Sequence, residues 1–578
     1  MKINQMIPSF IKPIASEMKF RLLRNNDEES LKNEVLSVQQ QWNQIIANST
    51  DNIEVTSSIS NKLKILFVTG YGIGTHFLAV EPIIMMALYT RGHQIFSLYC
   101  NKSLPSCEFN SVGNNIPSAK NEFKKGITNS AICNLCEKCK KNIETTYENL
   151  PIELSGYNQY LNEVDYNIAD QLSKEVDINN FRKFVFQNIN VGEEAFASIL
   201  RVTFMGEIQD TKLNRYLVQR YIMSGILTSI AYEKAFNDIN PDRVVCIHGV
   251  YQTHGLAVKV AKKLNVPVIV IGGGGIRRDT VLICHNETYH HQLVNESNDV
   301  WQKFRLSEEE RLKTLNYAIK KRNSGSGADY LSYHPNPIED VGELYKLLNI
   351  DSSRKIVSLF TNVTWDAQIF YNGNAFKDIF DWLFLSISEL GKNENIWIVI
   401  RIHPAESKGG LPTNQPITKE IRKRFPKLPE NLRIISPESD ISSYTLANES
   451  IVNIIYGTKM GLEIALLKKP LIVCGETFSR NKGYGLDIIS KDQYIKVLAD
   501  IHNFEVNVEE KFELALKYAH YFYFRKMVDL PFERLSTGKI GSGIKLKFET
   551  LNDLAEENNK ELDMICEGIL KLSNFVLS

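Results

Sequence analysis

Four groups of residues in this 578-residue chain have the types and spacing to do chemistry. The first is Gly70-Tyr71-Gly72-Ile73-Gly74-Thr75-His76. Glycines after an apolar run let the backbone approach a ligand closely, and the helix start beyond them attracts anions or polarises hydroxyls. An imidazole at the mouth of such a turn is placed to take the proton of an acceptor hydroxyl, with Glu81 one turn further along the same helix. Helix capping by His76 is the plainer alternative. The G-x-G-x-G spacing does not meet the G-x-G-x-x-G dinucleotide fingerprint. The second group is Arg401-Ile402-His403-Pro404-Ala405-Glu406, where Pro404 ends a strand and turns the imidazole outward. An arginine and a histidine there suit a diphosphate; an ordinary strand exit is the alternative. The third is Tyr456-Gly457-Thr458-Lys459-Met460-Gly461-Leu462-Glu463, a turn feeding a helix whose first amides and hydroxyl suit a phosphate. Glu463, one turn in, is spaced to accept both hydroxyls of a ribose. The fourth runs from Gly475 to Gly485 and carries Arg480 and Lys482. Each group alone is common; their succession on adjacent strand–helix units is not.

The elements needed to hold these groups are legible around them. Lys62–Thr69, Gln94–Cys100, Arg243–His248 and Val266–Ile271 read as strands, with helices at His76–Arg91 and Thr253–Leu264. Strand, glycine turn, helix, strand opens a doubly wound parallel sheet. The alternation restarts with strands Ile356–Phe360, Ile396–Ile402, Leu432–Ile435, Ser450–Tyr456 and Pro470–Cys474, and helices at Phe376–Leu390, 417–425 and Lys459–Leu467. The organisation expected is a helical N-terminal extension (1–60), then a Rossmann-like domain (61–325) with a Cys-rich insert (100–142) and a helical insert (155–238). A Ser/Gly/Asn/Pro-rich linker, a second Rossmann-like domain (340–505) and a helical tail (506–578) follow. Two such domains place a ligand cleft between the carboxyl ends of both sheets.

Nine cysteines are present, and Cys100, Cys107, Cys133, Cys136 and Cys139 lie within 40 residues. Such crowding reads as metal binding rather than a disulfide framework. Cys107, Cys133 and Cys136, with Cys139 or Cys100 as fourth thiolate, would satisfy a tetrahedral structural zinc. Reduced, metal-free thiols are the second reading and an iron–sulfur cluster the third, although the fourth position of a ferredoxin-type run is Ile143. Lys and Arg total 67, as do Asp and Glu, so a broadly basic nucleic-acid-binding surface is excluded as the main task. The even balance conceals local excesses. Residues 401–427 hold seven basic and two acidic side chains, and 458–483 five and two, both at the expected phosphate face. No apolar run of about 18 residues and no signal-peptide pattern occur, so the cytosol is the expected compartment, with peripheral contact at the inner membrane face as a variant.

The stretch Asn453–Ile488, NIIYGTKMGLEIALLKKPLIVCGETFSRNKGYGLDI, resembles the donor-binding half of GT-B glycosyltransferases, above all the bacterial capsule and surface-polysaccharide group that includes capsule Kdo transferases. Thr361-Asn362-Val363-Thr364-Trp365-Asp366, Arg401-Ile402-His403-Pro404 and the opening from Gly70 through Arg91-Gly92-His93 are similar to that group as well. Gly457 stands where the group has a serine or threonine, and Lys469 where it commonly has glycine. The resemblance implies two Rossmann-like domains facing a cleft and transfer of a sugar from a nucleotide-activated donor to a saccharide or lipid-linked acceptor, without a metal cofactor for catalysis. It implies that Arg401, His403, Gly457, Thr458, Lys459, Gly475 and Lys482 surround the donor's phosphates and that Glu463 holds the ribose. His76, with Glu81, would activate the acceptor. Trp365-Asp366 would touch acceptor or donor sugar, unless Trp365 is a core residue. Gly272–Gly275 with Arg277-Arg278 would meet an anionic group or form a tight connection. Nucleotide-sugar epimerase, polyol-phosphate transferase and non-catalytic assembly scaffold are the alternatives.

Overall fold

The computed structural model describes residues 33–49, 62–107 except 71 and 73, 134–322 except 274–276, 328–329, 336–408 except 367–374, 413–535 and 543–577. Thirteen strands matter for the site. Strands β1 (Lys64–Gly70), β2 (Gln94–Tyr99), β3 (Glu153–Gly156), β4 (Arg243–Ile247), β5 (Val268–Gly273) and β6 (Thr280–His285) build one sheet. Strands β7 (Lys355–Phe360), β8 (Ile396–Arg401), β9 (Leu432–Ile435), β10 (Ser450–Ile455), β11 (Leu471–Val473) and β12 (Leu486–Asp487) build the second. Strand β13 (Val528–Asp529) returns from the C-terminal region to the first sheet.

The first sheet has the order β13-β6-β5-β4-β1-β2-β3, with β1 to β5 parallel and β6 and β13 antiparallel at one edge. The second is parallel throughout, in the order β9-β8-β7-β10-β11-β12. This is the α/β, doubly wound fold class expected. Parallel strands are covered on both faces, which is why β1, β7 and β8 read as nearly continuous apolar runs. The pleat still sorts them. Ile65 and Phe67 enter one core cluster while Leu66 and Val68 enter another; likewise Val357 and Leu359 separate from Ile356 and Phe360. Each fully buried aliphatic side chain there contributes roughly 1.5–3 kcal/mol.

Helices close the layers. Helix α1 (residues 33–49), α2 (Glu81–Thr90), α3 (Asn134–Tyr147) and, near the far end of the chain, residues of Lys560–Lys571 cover one face of the first sheet. Trp42 of α1 is fully buried there and donates to the carbonyl of Leu78 at 3.3 Å. Helices α4 (Val191–Thr203), α5 (Lys212–Ile239) and α6 (Leu256–Lys263) cover the other face. Helices α7 (Tyr289–Asn295) and α8 (Glu308–Arg322) lead toward the second sheet, where α9 (Ile379–Leu390) and α10 (Met460–Leu466) pack, before α11 (Val508–His520) carries the chain back. Besides its helices, the C-terminal region supplies β13 and a small hairpin, Phe532–Arg534 with Ile544–Leu546.

Two of the contacts that join the sheets bear on the site. Helix α4 ends in Phe204 at φ 52°, whose ring meets Trp365 edge-on at 4.6 Å. Asn414 donates its backbone N–H to the Phe204 carbonyl at 2.9 Å and its amide to Thr203 at 2.6 Å, while Gly206 N–H donates to Gln415 at 3.0 Å. At the second contact, Lys321 of α8 reaches Glu463 of α10 at 3.0 Å. No described helix is long and apolar enough to cross a membrane.

Candidate active site

In both sheets the strand order reverses beside the first strand, between β1 and β4 and between β7 and β10. Loops leaving the carboxyl ends at such a switch point diverge and open a crevice for ligands. Among the described residues, the site is therefore assembled from Gly70, Gly72, 74–76 and 248–255 on one side, and from 361–366 and 456–460 on the other.

On the first side, β1 runs into Gly70 at φ 69°, where a Cβ would lie 2.7 Å from Thr253 Cγ2 and 3.1 Å from the His254 ring. Only glycine lets the two switch-point loops pack this closely. Both loops enter their helices through a five-residue π turn, His76–Val80 before α2 and Tyr251–Gly255 before α6. Such turns concentrate at functional positions because they re-aim side chains at a cost in backbone bonding. His76 stands 6.0 Å from His248, ring to ring, and its buried Nδ1 has no hydrogen-bond partner. Burial first, then His248 and Arg534, push its pKa down to about 3, so the imidazole is neutral at physiological pH. Burial likewise lowers His248 and His254, and takes His290 of α7 to about 3. His248, His254 and His290 are not among the site residues expected from the sequence. Their only signal was position, since His248 directly follows a strand at the switch point.

Glu81 does not join this group. It is buried beneath β1 beside Thr69 and Tyr147, and burial raises its carboxyl to about 8 despite their hydrogen bonds. One turn beyond His76, the helix face has rotated from crevice to core. Arg277 and Arg278 are also drawn away from ligand. Arg277 forms two 2.9 Å bonds to Asp529 of β13, and Arg278 donates to the carbonyl of Arg534.

On the second side, Asn362 after β7 accepts the N–H of Gly457 after β10 at 3.2 Å and so ties the two switch-point loops together. A Cβ on Gly475 would come within 2.8 Å of the Tyr456 carbonyl, so the next loop presses against the same turn. Thr458 accepts from Met460 N–H at 3.4 Å, and its carbonyl accepts from Thr477. His403, after β8, is tied to the β7 loop from the other side; its backbone N–H donates to Thr361 Oγ1 and its Nδ1 accepts from Ala405 N–H, both at 3.1 Å. That bond places the proton of a neutral His403 on Nε2.

Most of the basic side chains assigned to phosphate are engaged within the protein. Arg401 is buried and donates to the carbonyls of Ser436 at 2.9 Å and Ser439 at 3.1 Å, pinning the loop after β9; burial lowers it to about 10. Arg480 donates to the carbonyls of Gly475 and Ile488. Lys482 is fully buried, donates to the Glu296 carbonyl at 3.4 Å and lies over the Tyr518 ring; burial lowers it to about 8. Lys459 pairs with Asp329 at 3.0 Å. The sequence excess of positive charge is real, but strand ends also need donors for loop carbonyls, and arginines and lysines at loop bases supply them.

Glu463 sits in a buried network. Its Oε1 faces Lys321 Nζ at 3.0 Å, its Oε2 accepts from Tyr444 at 2.9 Å, and Lys321 also pairs with Asp329 at 2.9 Å. A carboxylate has about four acceptor positions; two are used here. Trp365 is a buried interdomain residue, stacked by Arg201 at 4.6 Å and donating to Thr413 at 3.0 Å. Its neighbour Asp366 is exposed and accepts from Tyr251 of the first side at 3.4 Å. This contact brings the two switch points face to face.

Of the thiols, Cys107 is half-buried, and its carbonyl accepts from Tyr221 at 2.9 Å. Cys133 and the side chains of Cys136 and Cys139 lie outside the described residues, so the zinc set does too. Among the described residues no cluster of three or more His, Cys, Asp or Glu is arranged to hold a metal ion.

No family model matches the chain, and no curated protein matches it. Among solved structures, it is similar to a β-Kdo 2,4-transferase, KpsC of Thermosulfurimonas dismutans, at 14% identity and TM-score 0.31, over 54% of this chain and 86% of that one. A glycosyltransferase from Rickettsia africae is similar at 12% identity and TM-score 0.29, over 89% of this chain and all of that one. A UDP-GlcNAc 2-epimerase from Neisseria meningitidis bound to UDP-GlcNAc is similar at 11% identity and TM-score 0.23, over 78% and 94%.

Proposed function

We propose that the chain is a glycosyltransferase that moves a sugar from a nucleotide-activated donor to a hydroxyl of a saccharide or lipid-linked acceptor in surface-polysaccharide or glycoconjugate synthesis. The observation that carries this reading is the opposition of two switch-point crevices, one lined by neutral imidazoles and the other by the Gly457–Thr458 turn and by Asn362, with His403 tied to the same β7 loop. The first side suits removal of a proton from a neutral hydroxyl. The second suits the nucleotide, with His403 and the Gly457–Thr458 turn at the phosphates and the unused acceptor positions of Glu463 toward the ribose. Internal pairing of Arg401, Lys459 and Lys482 leaves hydrogen-bond donors rather than free cations to stabilise the departing phosphate. We assign catalysis no metal cofactor, and the Cys107–Cys133–Cys136–Cys139 set a structural zinc. Metal analysis of the purified chain tests the zinc: one equivalent, lost on Cys133→Ser, supports it, and none refutes it.

The decisive experiment incubates the chain with labelled CMP-, UDP-, GDP- and dTDP-sugars and follows thermal shift and product. Saturable stabilisation by one nucleotide class, with label transferred to an added saccharide or lipid-linked saccharide, is expected. Retention of full nucleotide binding and turnover by both His403→Ala and Glu463→Ala would overturn the assignment. Recovery of an isomerised nucleotide sugar would instead mark an epimerase, transfer of a polyol phosphate the phosphotransferase, and no nucleotide response at all a scaffold.

A further inference from the structure

Arg401, Arg480, Lys459 and Lys482 are bonded within the protein, but the first domain brings to the junction a cation that is not. Arg201 lies half-buried in the last turn of α4, and among the described residues its guanidinium forms no hydrogen bond and no ion pair. It rests instead on two aromatic rings. The guanidinium carbon is 4.6 Å from the centre of the Trp365 ring and 5.8 Å from that of Phe204. A helix C-terminus favours any basic side chain through its dipole. That would account for a lysine as readily as an arginine, and it does not account for the stack.

Both domains build the aromatic shelf. Phe204 takes φ 52° at the end of α4, and its ring meets Trp365 edge-on, with 72° between the planes. Trp365 is anchored by its indole N–H bond to Thr413 at 3.0 Å, and Thr413 N–H donates in turn to the Glu406 carbonyl at 2.8 Å. Leu200, Val363 and Ala405 pack around the two rings. These neighbours put the stack beside the expected phosphate subsite. Trp365 follows Asn362, which holds Gly457, in the same loop, and Ala405 supplies the N–H that fixes the His403 ring. The carboxylate next to Trp365, Asp366, is exposed and bonded by Tyr251. Stacking occupies a face of the guanidinium and leaves its in-plane N–H donors free, with the side chain already ordered. A planar fork of that kind matches two oxygens of a phosphate.

We propose that Arg201 binds the phosphate of the donor nucleotide from across the cleft, the first domain's contribution to a subsite otherwise built by the second. The inference rests on the glycosyltransferase reading and deepens it. In transfer, the acceptor oxygen gives up its proton to a base and forms a bond to the anomeric carbon of the donor. The bond from that carbon to phosphate oxygen breaks, and its electron pair stays on the phosphate. The guanidinium offsets that added charge where Lys459 and Lys482 are held by Asp329 and the Glu296 carbonyl. Because the shelf combines Phe204 of one domain with Trp365 of the other, Arg201 is aimed by the apposition of the two switch points.

The test is calorimetric titration of the full chain with the nucleotide that stabilises it and with the corresponding nucleoside, which keeps base and ribose and lacks phosphate. Arg201→Gln should weaken nucleotide binding about 10–100-fold, the range for hydrogen bonds to a charged group, and leave the nucleoside Kd within about twofold. Nucleotide binding by this variant should also become less sensitive to salt. Arg201→Lys keeps the charge without the planar fork, so its nucleotide Kd should fall between those of Arg201→Gln and the unaltered chain. Should Arg201→Gln not fold, Arg201→Lys carries the same comparison of nucleotide with nucleoside. Equal losses for the two ligands would show that Arg201 only packs the junction and would overturn the proposal. An unchanged nucleotide Kd with a raised KM for acceptor would overturn it too, by moving the anion to the acceptor. Both of these outcomes leave the transferase reading intact. Absence of nucleotide binding and transfer by the unaltered chain overturns both.

Discussion

Replacing Lys321 by methionine probes the buried network that ties α8 to the expected ribose carboxylate. The Lys321 side chain is 2% exposed, Glu463 8% and Asp329 15%, so two carboxylates would be left facing one another with little water. Removing one partner of a buried ion pair costs about 3–5 kcal/mol, because the stranded charge is not re-solvated. Lys459 remains on Asp329 and Tyr444 on Glu463, so the lower end, about 3 kcal/mol, is the expected loss. Urea unfolding followed by tryptophan fluorescence measures it. The double variant Lys321→Met/Glu463→Gln should recover about 1–2 kcal/mol, as one of the stranded charges is then neutral. The pH dependence has a definite sign. Burial opposes ionisation of Asp329, but Lys459 and Lys321 outweigh it and hold its carboxyl below the usual value. Its contribution is thus present at neutral pH and is lost as pH falls below about 4. In Lys321→Met the folded value rises toward the unfolded one, so that loss should be smaller. A single variant within about 0.5 kcal/mol of the unaltered chain, or a cycle showing no coupling, would refute the view that Glu463 is held by this network.

Other outcomes follow from the same structure. Asn362→Ala removes the acceptor that ties Gly457 to β7 and should weaken nucleotide binding about fivefold, roughly 1 kcal/mol, in a titration; an unchanged Kd would remove Asn362 from the site. Glu81→Gln should flatten the stability profile. With its folded carboxyl raised to about 8, the native state keeps a proton that the unfolded chain loses above the ordinary value near 4.5, so stability falls as pH rises between those values and then levels. If Glu81→Gln shows the same decline between pH 5 and 8, the burial argument fails. Trp42→Ala should cost about 3–5 kcal/mol in thermal or urea unfolding, whereas a loss under 1 kcal/mol would show that α1 is dispensable to the first sheet. Excess EDTA should leave transfer unchanged, and stimulation of a stripped sample by added Mg²⁺ or Mn²⁺ would refute metal-independent transfer.

Most of the fold is legible in the chain because both sheets are parallel and doubly covered, so each inner strand is a compact apolar run closed by glycine, proline or asparagine. Ile356–Phe360, Ile396–Ile402 and Leu432–Ile435 were read to within a residue or two. The edge strands escaped notice for the opposite reason. Glu153–Gly156 and Leu486–Asp487 are short and half-exposed, and Val528–Asp529 pairs with a partner far away in sequence, so no local pattern marks them. The π turns at His76 and Tyr251 leave no composition signal either; helix periodicity continues through them. In the site, position was more legible than occupation. The loops at Gly70, His403, Gly457 and Gly475 do stand at strand ends. Whether a lysine there meets a ligand or a carbonyl depends on loops from elsewhere, as Glu296 decides for Lys482 and Ser436 for Arg401.

The return of β13 to the first sheet bears on how the molecule is made. Val528 pairs with Val281, and α1 bonds to Ile544, Glu549 and Gly543 across 503, 501 and 509 residues of chain. The first sheet therefore waits for its own edge and covering layer until residues 528–571 are synthesised, while the second sheet, with its strands between 355 and 487, has all of them earlier. Closure of such distant contacts is slow and leaves apolar faces open in the interim. A chain shortened before residue 528 would be expected to keep a folded second domain and lose the first, and nascent chains of that length are where chaperone dependence should concentrate.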